Sequence, residues 1–108
     1  MCGICGVYNK QSGKPVSPQL IEEMTSHISH RGPDDSGIYL DSNLGLGFAR
    51  LSIIDLSGSC QPMANETGDV WLVFNGEIWN YKELRAELLE KGHQFRTKGD
   101  TETIVHAY

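Results

Sequence analysis

The feature that most constrains the fold is a continuous apolar run, residues 70–74, followed at once by Asn75 and Gly76. Because the run is apolar on both faces, it predicts a strand in the middle of the core. Asparagine followed by glycine is typical of a tight turn, since both residues tolerate positive φ angles. The run is far too short to cross a bilayer. The rest of the chain must therefore pack around this strand.

Length and composition restrict the class of protein. A chain of 108 residues is expected to form one domain with a single modest core. Its net charge of −5, with no basic run, argues against nucleic acid or an anionic membrane as a partner. The three cysteines are an odd number and no signal peptide precedes them, so no disulfide framework is expected. These features predict a reduced cytoplasmic protein.

The remaining pattern predicts alternating strands and helices. A first helix opens at Ser17-Pro18 and places Leu20, Met24 and Ile28 on one apolar stripe. The other predicted elements are strands at 4–8, 37–40, 44–49 and 51–54, a loop at 58–68, a second helix opened by a capping box of Asn80 and Glu83 and ended by Gly92, a strand at 93–97, and a third helix capped by Asp100.

The third helix would have barely two turns before the chain stops at Tyr108, which is too short to be stable alone. We therefore expect the chain to be the front part of a larger protein.

Cys2 directly follows the initiator methionine. Removal of Met1 would give one residue both a thiol and a free α-amine, whose ordinary pKa of about 8 leaves it partly neutral at pH 7. The amine could then act as the base for the thiol, which is the arrangement of an N-terminal nucleophile. Position alone does not establish this role, because a chain can begin Met-Cys by chance.

The pair Cys2-x-x-Cys5 allows three interpretations. A redox pair should follow a strand and open a helix, whereas this pair begins the chain. A zinc module could use the two cysteines with His27 and His30, but the spacing of the histidines is shorter than that of known fingers. The favoured interpretation makes Cys5 a small buried residue on a strand.

Several polar residues could bind a small amino acid. The guanidinium of Arg50 suits bidentate capture of a carboxylate, although a structural ion pair is the commoner role. The Asn75 amide and the Gly76 N–H could stabilise an oxyanion, although the same residues could simply form a turn. Glu77 and Asp100 could each accept an ammonium group, although the ordinary role of Asp100 would be helix capping.

Four sequence blocks, in order, resemble one known family across nearly the whole chain. The blocks are Met-Cys-Gly-Ile-Cys-Gly at 1–6, His-Arg-Gly-Pro-Asp at 30–34, Arg-Leu-Ser-Ile-Ile-Asp at 50–55 and Asn-Gly-Glu-Ile-Trp-Asn-Tyr at 75–81. They resemble the glutaminase domain of the class II glutamine amidotransferases, and within that class the glutamine-hydrolysing asparagine synthetases. The resemblance implies that residues 1–108 are the N-terminal part of such a domain, without the synthetase domain that follows it.

The resemblance also implies a fold and a set of roles. The fold is α+β, the αββα sandwich of the N-terminal nucleophile hydrolases, with two antiparallel sheets between helical layers, truncated here. Its glutamine hydrolysis would use Cys2 as the nucleophile with Asn75 and Gly76 as the oxyanion hole. The implied substrate-binding residues are Arg50 for the α-carboxylate, Glu77 and Asp100 for the α-ammonium, and Leu51, Ser52, Ile53 and Ile54 for the pocket wall.

The implied ligands and partners are L-glutamine and the synthetase domain of the full-length protein. No metal or cofactor is implied for the glutaminase half, whereas ATP and Mg²⁺ would act only in the synthetase domain. The chain departs from the family at Gly99, where a serine is frequent, and at Phe48-Ala49, where a polar or basic pair is frequent. An alternative is an inactive scaffold that binds glutamine and self-associates through bare sheet edges.

Overall fold

The computed structural model describes residues 2–51 and 60–108. Contacts within the chain divide it into two compact units, Met1–Ile54 and Asp55–Tyr108, and each is described by itself. The mixture of antiparallel strands and helices confirms the predicted α+β class. The elements are β1 (Gly3–Tyr8), α1 (Pro18–His27), β2 (Asp35–Asp41), β3 (Leu44–Arg50), β4 (Met63–Ala64), β5 (Trp71–Leu72), α2 (Tyr81–Glu90) and α3 (Glu102–Ala107).

The first unit is an antiparallel sheet in the order β1-β3-β2. Its central strand, β3, pairs with β1 on one edge and with β2 on the other, and the registers place Gly3 opposite Ala49 and Asp35 opposite Arg50. The predicted strands at 4–8, 37–40 and 44–49 are confirmed. Most of the strand predicted at 51–54 lies outside the described residues.

Helix α1 packs on β3 at the positions of its glycines. A Cβ atom on Gly47 would lie 2.2 Å from Thr25 Oγ1, and one on Gly45 would lie 2.6 Å from Ile21 Cγ1. Side chains at these two positions would therefore push the helix off the sheet. The alternation of glycine with larger residues in β3 thus sets the distance between the helix and the sheet.

The buried stripe of α1 differs from the predicted one. Ile21 and Thr25 are buried, whereas Leu20 is 43% exposed. Of the predicted positions, Ile28 is confirmed by its packing, since it contacts the backbone of β1 at Gly3. The helix is rotated because the glycines of β3 accept Ile21 and Thr25 directly, and Leu20 lies outside this contact.

In the second unit, β5 pairs only with β4 in a two-stranded sheet, as far as the described residues show. The prediction that residues 70–74 form a strand at the centre of the core is wrong, because only Trp71 and Leu72 are in a strand and Trp71 is 36% exposed. Among the described residues, β4 is the only strand that pairs with this run, so its other edge makes no sheet contact with them. The loop predicted at 58–68 is interrupted by β4 at Met63–Ala64.

Helix α2 confirms the predicted helix but not its capping box. Asn80 is the N-cap residue, yet its side chain makes no capping hydrogen bond. The backbone of Asn80 has φ −97° and ψ 26°, rather than the extended conformation that directs a cap side chain toward the helix N–H groups. The end at Gly92 is confirmed, since this glycine has a φ of +94°.

Residues 93–97 do not form the predicted strand. Instead, the N–H groups of Arg96 and Thr97 each donate to the carboxylate of Glu102 over 2.7 Å. Glu102 is the first residue of α3 and is only 3% exposed. A buried carboxylate thus accepts the hydrogen bonds that a neighbouring strand would otherwise accept. In the described parts of the chain, no helix has the length and apolar character needed to span a membrane.

Candidate functional site

The thiol of Cys2 lies at the end of the β1–β3 ladder. The Leu51 N–H donates to Cys2 Sγ over 3.4 Å, and the thiol is 3.9 Å from the Leu51 carbonyl oxygen. Because Gly3 pairs with Ala49, the register continues so that Cys2 lies beside the last residues of β3. The pairing therefore places the predicted nucleophile next to the segment predicted to bind substrate. Cys2 is half-buried.

Arg50 is the last residue of β3, and the segment from Gly32 to Asp34 packs against the backbone there. The Asp34 N–H donates to the Arg50 carbonyl oxygen over 3.0 Å. A Cβ on Gly32 would lie 2.2 Å from the Ala49 carbonyl oxygen, so only glycine fits this approach. The block at 30–34 therefore fixes the backbone from which the Arg50 side chain projects.

The second unit places Asp100 beside the segment that contains Asn75, Gly76 and Glu77. Asp100 Oδ2 accepts a hydrogen bond from the Ile78 N–H over 2.8 Å. The Asp100 side chain does not cap α3, since Thr101 is the N-cap residue and no side chain makes a capping hydrogen bond there. The prediction that Asp100 caps the third helix is therefore wrong, and its carboxylate contacts the 75–78 segment instead.

Gly76 is constrained by the ring of Phe74. A Cβ at this position would lie 2.8 Å from Phe74 Cζ, which is closer than carbon atoms pack. Asn75, Gly76 and Glu77 are all exposed. Neither Asn75 nor Gly76 has a positive φ, so the predicted tight turn does not form there. The backbone N–H of Gly76 belongs to an accessible bend whose shape depends on the absence of a side chain.

The predicted site residues within the described parts of the chain therefore form one local grouping in each unit. In the first unit, Cys2 contacts Leu51, the neighbour of Arg50. In the second unit, Asp100 contacts the turn after residues 75–77. The other predicted pocket residues, Ser52, Ile53 and Ile54, lie outside the described residues. The residues at one departure from the family pattern, Phe48 and Ala49, are both buried core residues of β3.

The residues of the alternative zinc module make separate contacts. Cys5 lies on a strand as predicted but is only half-buried, and its Sγ lies 3.5 Å from Thr25 Oγ1. His27 Nδ1 lies 2.7 Å from the Glu23 carbonyl oxygen, and His30 Nδ1 lies 3.1 Å from that of His27. Neither histidine belongs to the group of potential metal ligands found among the described residues.

That group, in the second unit, was missed by the sequence analysis. It consists of Glu66, His93 and His106, with Glu102 beside it. The sequence offers one signal, the i, i+4 spacing of Glu102 and His106 on a helix. Nothing in the sequence indicates that Glu66 approaches either histidine.

Comparison with known proteins gives a consistent result. The sequence model of a family described as a glutamine amidotransferase domain matches residues 1–108. The chain is 47% identical to asparagine synthetase [glutamine-hydrolyzing] 1 of Bacillus subtilis, over the whole chain and 17% of that protein. It is 44% identical to asparagine synthetase [glutamine-hydrolyzing] 2 of the same organism, over the whole chain and 14% of that protein. The chain is 39% identical to asparagine synthetase [glutamine-hydrolyzing] 1 of Arabidopsis thaliana, over the whole chain and 18% of that protein. The chain thus spans less than a fifth of the length of these relatives.

Proposed function

This chain belongs to the glutamine amidotransferase family, and we propose that it hydrolyses L-glutamine to glutamate and ammonia with Cys2 as the nucleophile. The observation that most supports this proposal is the contact of Cys2 Sγ with the Leu51 N–H, beside Arg50. This contact places the thiol next to the chain neighbour of Arg50, whose guanidinium suits an amino-acid carboxylate. The names of the relatives add that the ammonia would serve asparagine synthesis in the full-length protein.

The proposed chemistry is acyl transfer through a thioester. The α-amine of Cys2, released when Met1 is removed, takes the thiol proton, and the sulfur attacks the side-chain amide carbon of glutamine. The Asn75 amide and the Gly76 N–H donate to the oxyanion that forms. The C–N bond then breaks and the departing nitrogen takes up the proton, so that ammonia leaves. Water hydrolyses the thioester to glutamate and restores the thiol.

The remaining residues would recognise the two charged groups of the substrate. The guanidinium of Arg50 matches the geometry of the α-carboxylate. Glu77 and Asp100 supply negative charge for the α-ammonium, and the hydrogen bond from the Ile78 N–H fixes the Asp100 carboxylate close to Glu77. Leu51 to Ile54 would form the pocket wall. No metal or cofactor takes part in these steps, and we assign ATP and Mg²⁺ to the synthetase domain.

The test is covalent labelling of the purified protein by a diazo-ketone analogue of glutamine, followed by intact mass and peptide mapping. We expect a single adduct on Cys2 at a chain terminus that lacks Met1, and glutaminase activity that falls to background in Cys2→Ser. Cys60→Ser is the matched control, because Cys60 is an exposed thiol in the other unit. Labelling of Cys60, or glutamine hydrolysis retained in Cys2→Ser, would refute the assignment.

A further inference from the structure

Three side chains from separate segments of the second unit converge on one small space. Glu66 lies between β4 and β5, His93 follows α2, and His106 lies in α3. Each offers one atom that can bind a metal, and these atoms all lie within 4.8 Å of one another. Oε1 of Glu66 is 2.8 Å from His93 Nδ1, and Oε2 is 2.7 Å from His106 Nδ1. One carboxylate therefore contacts both imidazole rings.

A second carboxylate fixes the orientation of the His106 ring. Oε1 of Glu102 lies 3.2 Å from His106 Nε2. The two oxygens of Glu102 accept hydrogen bonds from the N–H groups of Arg96 and Thr97. Glu102 is thus an acceptor, and His106 Nε2 is the atom that donates. In the neutral ring, this leaves Nδ1 with its lone pair.

The lone pair of His106 Nδ1 faces another acceptor. The His106 side chain is only 1% exposed, and Nδ1 has no hydrogen-bond partner in the described residues. Its 2.7 Å approach to Glu66 Oε2 therefore lacks the angle of a hydrogen bond. The Gln94 N–H donates to Glu66 Oε2 over 3.4 Å, so this oxygen is also an acceptor. His106 Nδ1 and Glu66 Oε2 are thus neighbouring acceptors whose lone pairs do not point at each other. Two ligands that bind the same cation are expected to have this arrangement.

We propose that Glu66, His93 and His106 form a binding site for a divalent first-row metal ion, with Zn²⁺ as the best match. Two imidazoles and one carboxylate are a common zinc ligand set, and zinc accepts three protein ligands with water in the fourth position. The side chains of Glu66 and His93 are 28% and 31% exposed, which leaves room for that water. Ligand atoms around tetrahedral zinc lie about 3.3 Å apart, so the Glu66–His93 and Glu66–His106 distances of 2.8 and 2.7 Å would each open by about half an ångström.

The contact between His106 and Glu102 matches the surroundings of known metal sites. A histidine that binds a metal through one ring nitrogen usually donates from the other to a carboxylate, which fixes its tautomer and orientation. Here Glu102 makes that contact and is itself fixed by the Arg96 and Thr97 N–H groups. Phe95 packs edge-on against the His106 ring, with 4.5 Å between ring centroids. Glu102 is thus a positioning residue for the proposed site.

A metal ion at this site would connect the β4–β5 loop, the segment after α2 and helix α3. The three segments lie far apart in sequence, so binding would stabilise the folded second unit over the unfolded chain. The proposal does not depend on glutamine hydrolysis, because none of the three ligands is a residue assigned to that reaction. The two proposals can therefore be tested separately.

The test is calorimetric titration of the metal-stripped protein with zinc chloride, with His93→Asn as the main variant. His93 is partly exposed, so its replacement should leave the fold intact. We expect one equivalent of zinc to bind the unmodified protein, and its affinity to fall more than about 100-fold in the variant, beyond the loss usual for an outer-shell change. His27→Asn, the same substitution at an exposed histidine in the first unit, should bind zinc like the unmodified protein.

Cobalt absorption identifies the ligand type. Co²⁺ at the proposed site should show visible bands of a nitrogen and oxygen site, without the intense ultraviolet band of thiolate ligation. Absence of zinc binding, equal binding by His93→Asn, or a thiolate band would each overturn the proposal. A circular dichroism spectrum of His93→Asn checks that any loss of zinc binding is not caused by unfolding. Glu66→Gln provides a second variant, with the same expected loss of zinc affinity.

Discussion

Replacing Glu102 with glutamine tests how far the second unit depends on one buried carboxylate. Oε1 accepts hydrogen bonds from the Arg96 N–H at 2.7 Å and from His106 Nε2 at 3.2 Å. Oε2 accepts from the Thr97 N–H at 2.7 Å and from the Thr97 hydroxyl at 2.6 Å. Glutamine has nearly the same shape, so the substitution changes hydrogen bonding and charge while leaving the packing volume almost unchanged.

The expected loss in the free energy of unfolding follows from the number of N–H and O–H groups that donate to the Glu102 carboxylate. Whichever way the new side-chain amide is turned, its NH₂ group faces either the Arg96 or the Thr97 N–H. One partly buried backbone donor then loses its acceptor, at a cost of about 1–2 kcal/mol. The remaining bonds change from charge-assisted to neutral, which removes about another 1 kcal/mol. We expect Glu102→Gln to lower the free energy of unfolding by about 2–3 kcal/mol.

The assay is urea unfolding followed by circular dichroism, with a chelator present so that metal binding does not contribute. Glu87→Gln is the matched control, because Glu87 is an exposed residue of α2 whose 2.9 Å ion pair with Lys91 is of the weak surface kind. This control should change the free energy of unfolding by less than about 0.5 kcal/mol. If Glu102→Gln costs no more than Glu87→Gln, the reasoning about the buried carboxylate is refuted.

Three further predictions follow from other contacts. Gly32→Ala should destabilise the protein by about 3 kcal/mol in urea unfolding, because the new Cβ would lie 2.2 Å from the Ala49 carbonyl oxygen, a backbone atom that cannot rotate away. Burial and the nearby charge of Asp41 both raise the pKa of Tyr39, so this phenol should stay neutral to above pH 10.0. Ultraviolet titration of Asp41→Asn should show the pKa of Tyr39 moving back down. Arg50→Lys should raise KM for glutamine about 10-fold or more, with a much smaller change in kcat, because lysine cannot form the bidentate contact with the α-carboxylate.

The first unit could be predicted from the sequence because its signals are local. Serine and proline open α1 at residues 17–18, and β3 alternates glycine with larger residues. The one error, the stripe on α1, arose because Leu20 is as apolar as Ile21 and only the glycines of β3 decide which of them is buried. The roles of Cys2, Arg50 and Leu51 came from the family resemblance and stay predictions, although the Leu51 N–H does donate to Cys2 Sγ.

The second unit could be predicted less well, because its polar side chains replace expected backbone pairing. Residues 93–97 have the composition of a strand, yet their N–H groups at Arg96 and Thr97 donate to Glu102. Asp100 has the position of a helix cap, yet its carboxylate accepts from the Ile78 N–H. Both contacts join segments that no periodic pattern relates, so reasoning from local propensity misses them.

The two units therefore differ in what stabilises them. Among the described residues, the buried polar side chains belong almost entirely to the second unit, where Gln61, Thr101, Glu102, Thr103 and His106 are buried; Thr25 alone is buried in the first. The first unit depends on apolar contact between α1 and the sheet, which responds little to ionic conditions. The second unit depends on hydrogen bonds between buried carboxylates, imidazoles and backbone N–H groups, whose energies change strongly when a partner is lost. Conditions that remove a bound metal should therefore increase amide hydrogen exchange at residues 93–106 and leave exchange in β3 unchanged.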